Sequence, residues 1–154
     1  MTKISAQEIK KLRQETGARV LDCKKALEEA QGDFKKAQEL VAKKGLARAE
    51  KTQDRETTAG LIAQYVHSNG KIGALVEMRC ETDFVAQNQE FKDLARDIAM
   101  QVVAMNPENE KELLEQEFIK DSSVKIEMLI KALSGKIGEK MVLSRFVRFE
   151  LGAE

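Results

Sequence analysis

Residues 61–78 read LIAQYVHSNGKIGALVEM, and the reading of this stretch decides the fold. Leu61 to Val66 and Ile72 to Met78 are rich in β-formers, and the apolar spacing shifts here from a period near 3.6 to one near 2. Ser68-Asn69-Gly70-Lys71 separates the two runs. Asn-Gly between such runs is the strongest short hairpin signal, because both central residues tolerate positive φ. An antiparallel hairpin within 59–80 is therefore predicted. Met141 to Leu151, rich in Val and Phe, reads as a third strand.

Upstream of residue 58 the periodicity is helical. Ser5 with Glu8 three residues on is a capping box, and Ile9 and Leu12 open an apolar stripe. Thr16-Gly17 breaks that helix. A second is expected from near Arg19, with Val20, the stem of Lys24, Leu27 and Ala30 on its inner side. Gly32-Asp33 stops it and caps a third, whose Phe34, Ala37 and Val41 share a face and which Gly45 is expected to end. Residues 46–58 (LARAEKTQDRETT) read as an exposed linker or a helical continuation. Three helices this short make a bundle with a thin core.

Downstream of the hairpin, Phe91, Leu94, Ala95, Ile98, Ala99 and Val102 mark an amphipathic helix that stops near Asn106-Pro107. A short helix is expected over 109–117. Ile126, Leu129, Ile130, Leu133 and Ile137 form another stripe, with an interruption at Ser134-Gly135. The fold class is α+β: an N-terminal three-helix bundle over 1–53, then a core over 54–154. In that core, helices pack on a three-stranded antiparallel sheet.

Composition narrows the function. The chain has 154 residues, 34% charged and 5% aromatic, with no Trp, so its core must be aliphatic. Residues 1–51 hold thirteen Lys/Arg against eight Asp/Glu, a net of +5; the rest hold thirteen against eighteen, a net of −5. Such asymmetry fits a nucleic-acid arm, an acidic protein partner or a solvated helix surface. Cys23 and Cys80 form neither a C-x-x-C pair nor a Cys/His cluster, so no zinc site or disulfide framework is suggested. No apolar run approaches the roughly 18 residues that a membrane span requires. A reduced, cytoplasmic protein is expected.

Catalytic chemistry finds little support. The single histidine, His67, sits beside the turn with no nucleophile or carboxylate at triad spacing. Gly135-Lys136 superficially suggests a phosphate loop, but Ile130 stands where the leading Gly belongs and Ile137 where Ser/Thr would hold magnesium. No catalytic residue, metal ligand or cofactor is assigned, and a non-enzyme is expected.

The segment Arg79-Cys80-Glu81-Thr82-Asp83-Phe84-Val85-Ala86 leads from a strand into a helix. Two readings are open. Thr82 or Asp83 caps the helix while Phe84 and Val85 fold into the core, or Asp83 and Phe84 stand outward as an anchor for a partner.

This segment closely resembles the E-x-x-C-x-T-D-F-V-A stretch of bacterial elongation factor Ts, with Glu77, Cys80, Thr82, Asp83, Phe84, Val85 and Ala86 in register. Leu12-Arg13-Gln14-Glu15-Thr16-Gly17-Ala18, continuing through Asp22-Cys23-Lys24-Lys25-Ala26-Leu27, is similar to a second signature of that family. Arg145-Phe146-Val147-Arg148-Phe149-Glu150-Leu151-Gly152 is similar to a third. The three stand in family order and cover nearly the whole chain.

The resemblance implies a translation factor that binds elongation factor Tu, in its GDP-bound and nucleotide-free states, and promotes GDP release. It implies a ubiquitin-associated-like N-terminal bundle docking on the partner's nucleotide-binding domain through Arg13, Val20 and Leu21. Thr82, Asp83, Phe84 and Val85 would intrude beside the partner's magnesium and phosphate region. The core would lean on another domain of the same partner. Neither membrane nor direct nucleic-acid binding is implied, and a homodimer is left open. Longer family members carry a helical insertion after the Asn-Pro turn. Here only a helix and a loop separate Pro107 from Phe118-Ile119-Lys120-Asp121, so contacts made by the insertion do not carry over. The competing readings are a nucleic-acid binder, which the mixed charges and missing aromatic platform disfavour, and a bundle adaptor for another protein.

Overall fold

The computed structural model describes residues 3–153. Helix α1 (Ala6–Thr16) opens on the expected capping box: Ser5 Oγ accepts from Glu8 N at 3.2 Å and the Glu8 carboxylate accepts from Ser5 N at 2.7 Å. Gly17, at φ 64°, ends it in the left-handed region that favours glycine. Helix α2 (Val20–Glu29) and helix α3 (Phe34–Lys51) follow, the latter capped by Asp33, whose Oδ1 accepts from Lys36 N at 3.0 Å.

Two expectations for the bundle fail. The inner side of α2 is Cys23, Ala26 and Leu27 with Ala30 packed beside them, so Leu27 and Ala30 stand where expected whereas Val20 and Lys24 are exposed. Small residues at 23 and 26 let the helices approach closely, and Lys24 instead faces Glu28 at 3.9 Å on the wet side. Gly45 does not end α3. The helix runs on to Lys51, so half of the expected linker is helical, and Thr52 behind it is buried with its hydroxyl donating to Ala49 O at 2.8 Å. Glycine in a helix interior costs roughly 0.5–1 kcal/mol against alanine, a cost the eighteen-residue helix α3 tolerates.

Strands β1 (Ala59–Val66) and β2 (Ile72–Cys80) form the predicted hairpin. Its turn differs from the expected one: only Gly70 has positive φ (69°), not Asn69. Gly70 N donates to His67 O, His67 N donates to Ile72 O, and Asn69 Oδ1 accepts from Lys71 N at 2.9 Å, giving a four-residue loop.

The chain then forms α4 (Asp83–Ala86), α5 (Gln89–Met105), α6 (Glu110–Glu115), a small hairpin of β3 (Glu117–Phe118) and β4 (Asp121–Lys125), α7 (Ile126–Ile137) and β5 (Val142–Glu150). Strand β5 runs antiparallel to β2, giving the order β1-β2-β5. The fold is α+β, as expected. The inner sheet face (Ala74, Val76, Met78, Cys80) meets Phe91, Leu94, Ala95, Ile98 and Val102 of α5. Each large apolar side chain buried there stabilises the fold by about 1.5–3 kcal/mol. Bundle residues Leu12, Cys23, Ala26, Leu27, Ala37 and Val41 form a separate buried cluster.

Helix α7 passes uninterrupted through Ser134-Gly135 and packs along the C-terminal half of α3, where the backbones of Gly45 and Gly135 meet. Arg48 fastens this crossing by donating to Gly135 O at 3.0 Å and to the Asp22 carboxylate at 2.7 Å. The β3–β4 hairpin was not foreseen. It hangs on buried Gln101, whose Oε1 accepts from Ile119 N at 2.9 Å while its Nε2 donates to Glu117 O at 3.0 Å.

Candidate partner-binding site

The turn after β2 is organised by Thr82. Its backbone is extended, and its Oγ1 accepts from Val85 N at 3.3 Å, so Thr82, not Asp83, caps the one-turn helix α4. A single turn separates inside from outside. Val85 and Ala86 are buried in the core, whereas Asp83 is exposed and Phe84 is 86% exposed. Val85, which the family resemblance placed among the partner-facing residues, is buried as an anchor of the turn, so the exposed set is Thr82, Asp83 and Phe84. Leaving a phenylalanine in water forgoes about 1.5–3 kcal/mol of burial, which suits a side chain kept for an interface.

This turn is held from three sides. The Glu139 carboxylate accepts from Glu81 N at 3.1 Å and Thr82 N at 3.0 Å through one oxygen, and from Thr82 Oγ1 at 2.8 Å through the other. Cys80 Sγ donates to Thr82 O at 3.2 Å. The Glu81 carboxylate in return accepts from Lys140 N at 2.7 Å and from Arg55 Nη1 at 3.4 Å. Arg55 also donates to Gly138 O, and the Lys140 ammonium reaches Gln53 O. Burial pushes the Cys80 thiol up to about 11, with the carboxylates of Glu139, Asp83 and Glu81 adding to it. The thiol thus keeps the proton it donates at neutral pH.

The N-terminal candidates lie around the α1–α2 turn. Arg13 is exposed on the last turn of α1; Val20 and Leu21, 47% and 68% exposed, open α2. This turn sits against the end of α7. A Cβ added at Gly17 would fall 2.1 Å from Lys136 Cε, and one at Gly138 would fall 2.8 Å from Arg19 Nη2. Both patches singled out by sequence therefore rest on one short segment, residues 136–139.

Sequence reasoning missed Glu139 and Arg55, because their contacts join residues far apart in the chain and no periodicity marks them. His67 is an exposed turn residue whose Nδ1 lies 3.4 Å from Tyr65 Oη. Gly135-Lys136 lies in the last turn of α7, not in a phosphate loop. Among the described residues no cluster of three His, Cys, Asp or Glu could hold a metal, and no helix is long and apolar enough to cross a membrane.

The family described as elongation factor TS matches residues 81–154. Similar proteins include elongation factor Ts of Fervidobacterium nodosum, 44% identical across 97% of this chain and 98% of the relative. That of Thermotoga neapolitana is 45% identical across 98% of each. That of Rippkaea orientalis is 39% identical across 99% of this chain and 80% of its own length. The Fervidobacterium alignment runs over 194 residues against 154 in this chain, so the relative carries residues inside the matched span that this chain lacks. With identity well above 30% over nearly the whole of both chains, this protein belongs to the elongation factor Ts family.

Proposed function

We propose that this chain is a guanine-nucleotide exchange factor of translation, acting in the cytoplasm on GDP-bound elongation factor Tu and retaining the nucleotide-free form. The observation that carries this reading is the exposure of Phe84 on a turn otherwise fixed from three sides. An exposed aromatic on a rigid mount is the arrangement of an interface hot spot. Its task involves no covalent step and no cofactor.

Exchange requires that the factor bind best to a partner conformation in which GDP is held weakly; GDP then weakens the factor's binding by the same ratio. The partner's magnesium neutralises the GDP phosphates and demands near-octahedral oxygen ligands. Phe84 and Asp83, set down beside those ligands, displace them, and GDP loses its charge compensation. Arg13, Val20 and Leu21 supply the docking contact on the nucleotide-binding domain. Mixing the protein with elongation factor Tu loaded with labelled GDP tests the proposal: release should accelerate with factor concentration to a plateau. Unchanged release would refute it.

A further inference from the structure

We propose that Glu139 is the positioning residue of the exchange wedge, setting through Thr82 the direction in which Phe84 leaves the surface. This inference rests on the wedge reading of Phe84. One carboxylate receives three donors from two consecutive residues: the amides of Glu81 and Thr82 and the Thr82 hydroxyl. Because the hydroxyl proton is committed to Glu139, the oxygen's lone pairs are free to accept from Val85 N and cap α4. Four residues of helix have no stability of their own, so the cap decides whether the turn exists and where its second residue points.

Glu139 is itself fixed. Its carbonyl accepts from Ser134 Oγ at 2.6 Å, and Gly138 before it takes φ 89°, which turns the chain back from α7. Helix α7 in turn packs on α3 of the bundle. The wedge is thus referenced to the element that supports the N-terminal docking residues, so docking there delivers Phe84 at a set place and angle. Glu139 touches no reacting group; it acts through Thr82.

Four proteins test this: Glu139→Ala, Glu139→Gln, Phe84→Ala and the Glu139→Ala/Phe84→Ala double variant, each checked by thermal melting. The readout is the rate of labelled GDP release from elongation factor Tu, with plateau and half-saturating concentration fitted separately. Glu139→Ala should lower the plateau about tenfold, as misplacement of a positioned group does, while half-saturation moves far less. Glu139→Gln keeps an oxygen for the two amides and should recover most of the plateau. In the Phe84→Ala background, Glu139→Ala should add no further loss. If Glu139→Ala does not fold, Glu139→Asp, whose shorter carboxylate cannot span all three donors while Thr82 still caps α4, should lower the plateau in the same way. A normal plateau in Glu139→Ala beside an impaired Phe84→Ala overturns the positioning role alone, as do losses that multiply in the double variant. A normal plateau in Phe84→Ala overturns the wedge reading and the positioning role with it.

Discussion

A Cβ added to Gly135 would fall 1.8 Å from the carbonyl oxygen of Gly45, whereas one added to Gly45 would lie 3.9 Å from the nearest Gly135 atom. The α3–α7 crossing is therefore one-sided in what it tolerates. Gly135→Ala must push two backbones apart and should cost about 1–3 kcal/mol by overpacking. Gly45→Ala meets only ordinary contact and gains helix propensity, so it should be neutral or stabilising by up to about 1 kcal/mol. Denaturant midpoints of the two variants check this, and equal destabilisation would contradict it.

That pair also marks where the sequence was legible and where it was not. Caps, the hairpin and the α5 stripe are local signals, and Ser5, Asp33, Asn106 and Phe91 stand where spacing put them. Ser134-Gly135 was misread as a helix break because glycine's usual local meaning gave way at Gly135 to a tertiary one, close approach, whereas Gly45 is simply tolerated inside α3. The α2 face was misread because Val20 looked like core and is instead surface. At the candidate site, the pattern T-D-F-V marked the turn on which Thr82 caps α4 and Phe84 stands exposed. Which of Phe84 and Val85 faces water is set by contacts with Glu139 and the core that no spacing encodes.

The proposed division at residues 53/54 makes a prediction shaped by the same crossing. The bundle cluster and the sheet cluster are separate sets of buried residues, yet α3 lies on α7. Removing residues 1–51 should leave a core that still unfolds cooperatively, at a lower temperature, and should sharply weaken binding to elongation factor Tu. Loss of any cooperative transition would show that the two parts are one domain. Undiminished binding would show that the docking role is misplaced.

Cys80 gives a pH-dependent test. Its thiol is raised from 9.0 to about 11 in the fold, so the folded state binds its proton more tightly than the unfolded chain. The stabilisation is full below pH 9 and is lost as pH climbs from 9 through about 11. Cys80→Ser keeps a donor for Thr82 O but does not titrate there, so its melting temperature should decline less steeply over that window than the wild type's. Alkylation of the native protein at pH 8 should likewise be slow at Cys80 and become fast on unfolding. Rapid native labelling, or parallel declines in the two proteins, would count against the buried, protonated thiol.

Phe84 separates a structural from a functional role most sharply. A core phenylalanine replaced by alanine costs roughly 3–5 kcal/mol, but Phe84 is 86% exposed. Phe84→Ala should therefore melt within a degree or two of the wild type, since surface changes usually stay within about 0.5 kcal/mol. Truncating an interface hot spot costs about 2 kcal/mol or more, roughly a thirtyfold weaker complex. Asp83→Ala should also melt normally, because Thr82 rather than Asp83 supplies the cap. If the pair acts on the partner's magnesium site, each variant should slow GDP release by more than it weakens binding. The deficit should narrow when free magnesium is removed, because chelation then does what the wedge no longer can. Measuring melting, binding and GDP release across a magnesium titration separates these terms. Early melting with normal release per folded molecule would return Phe84 to the structure and remove it from the mechanism.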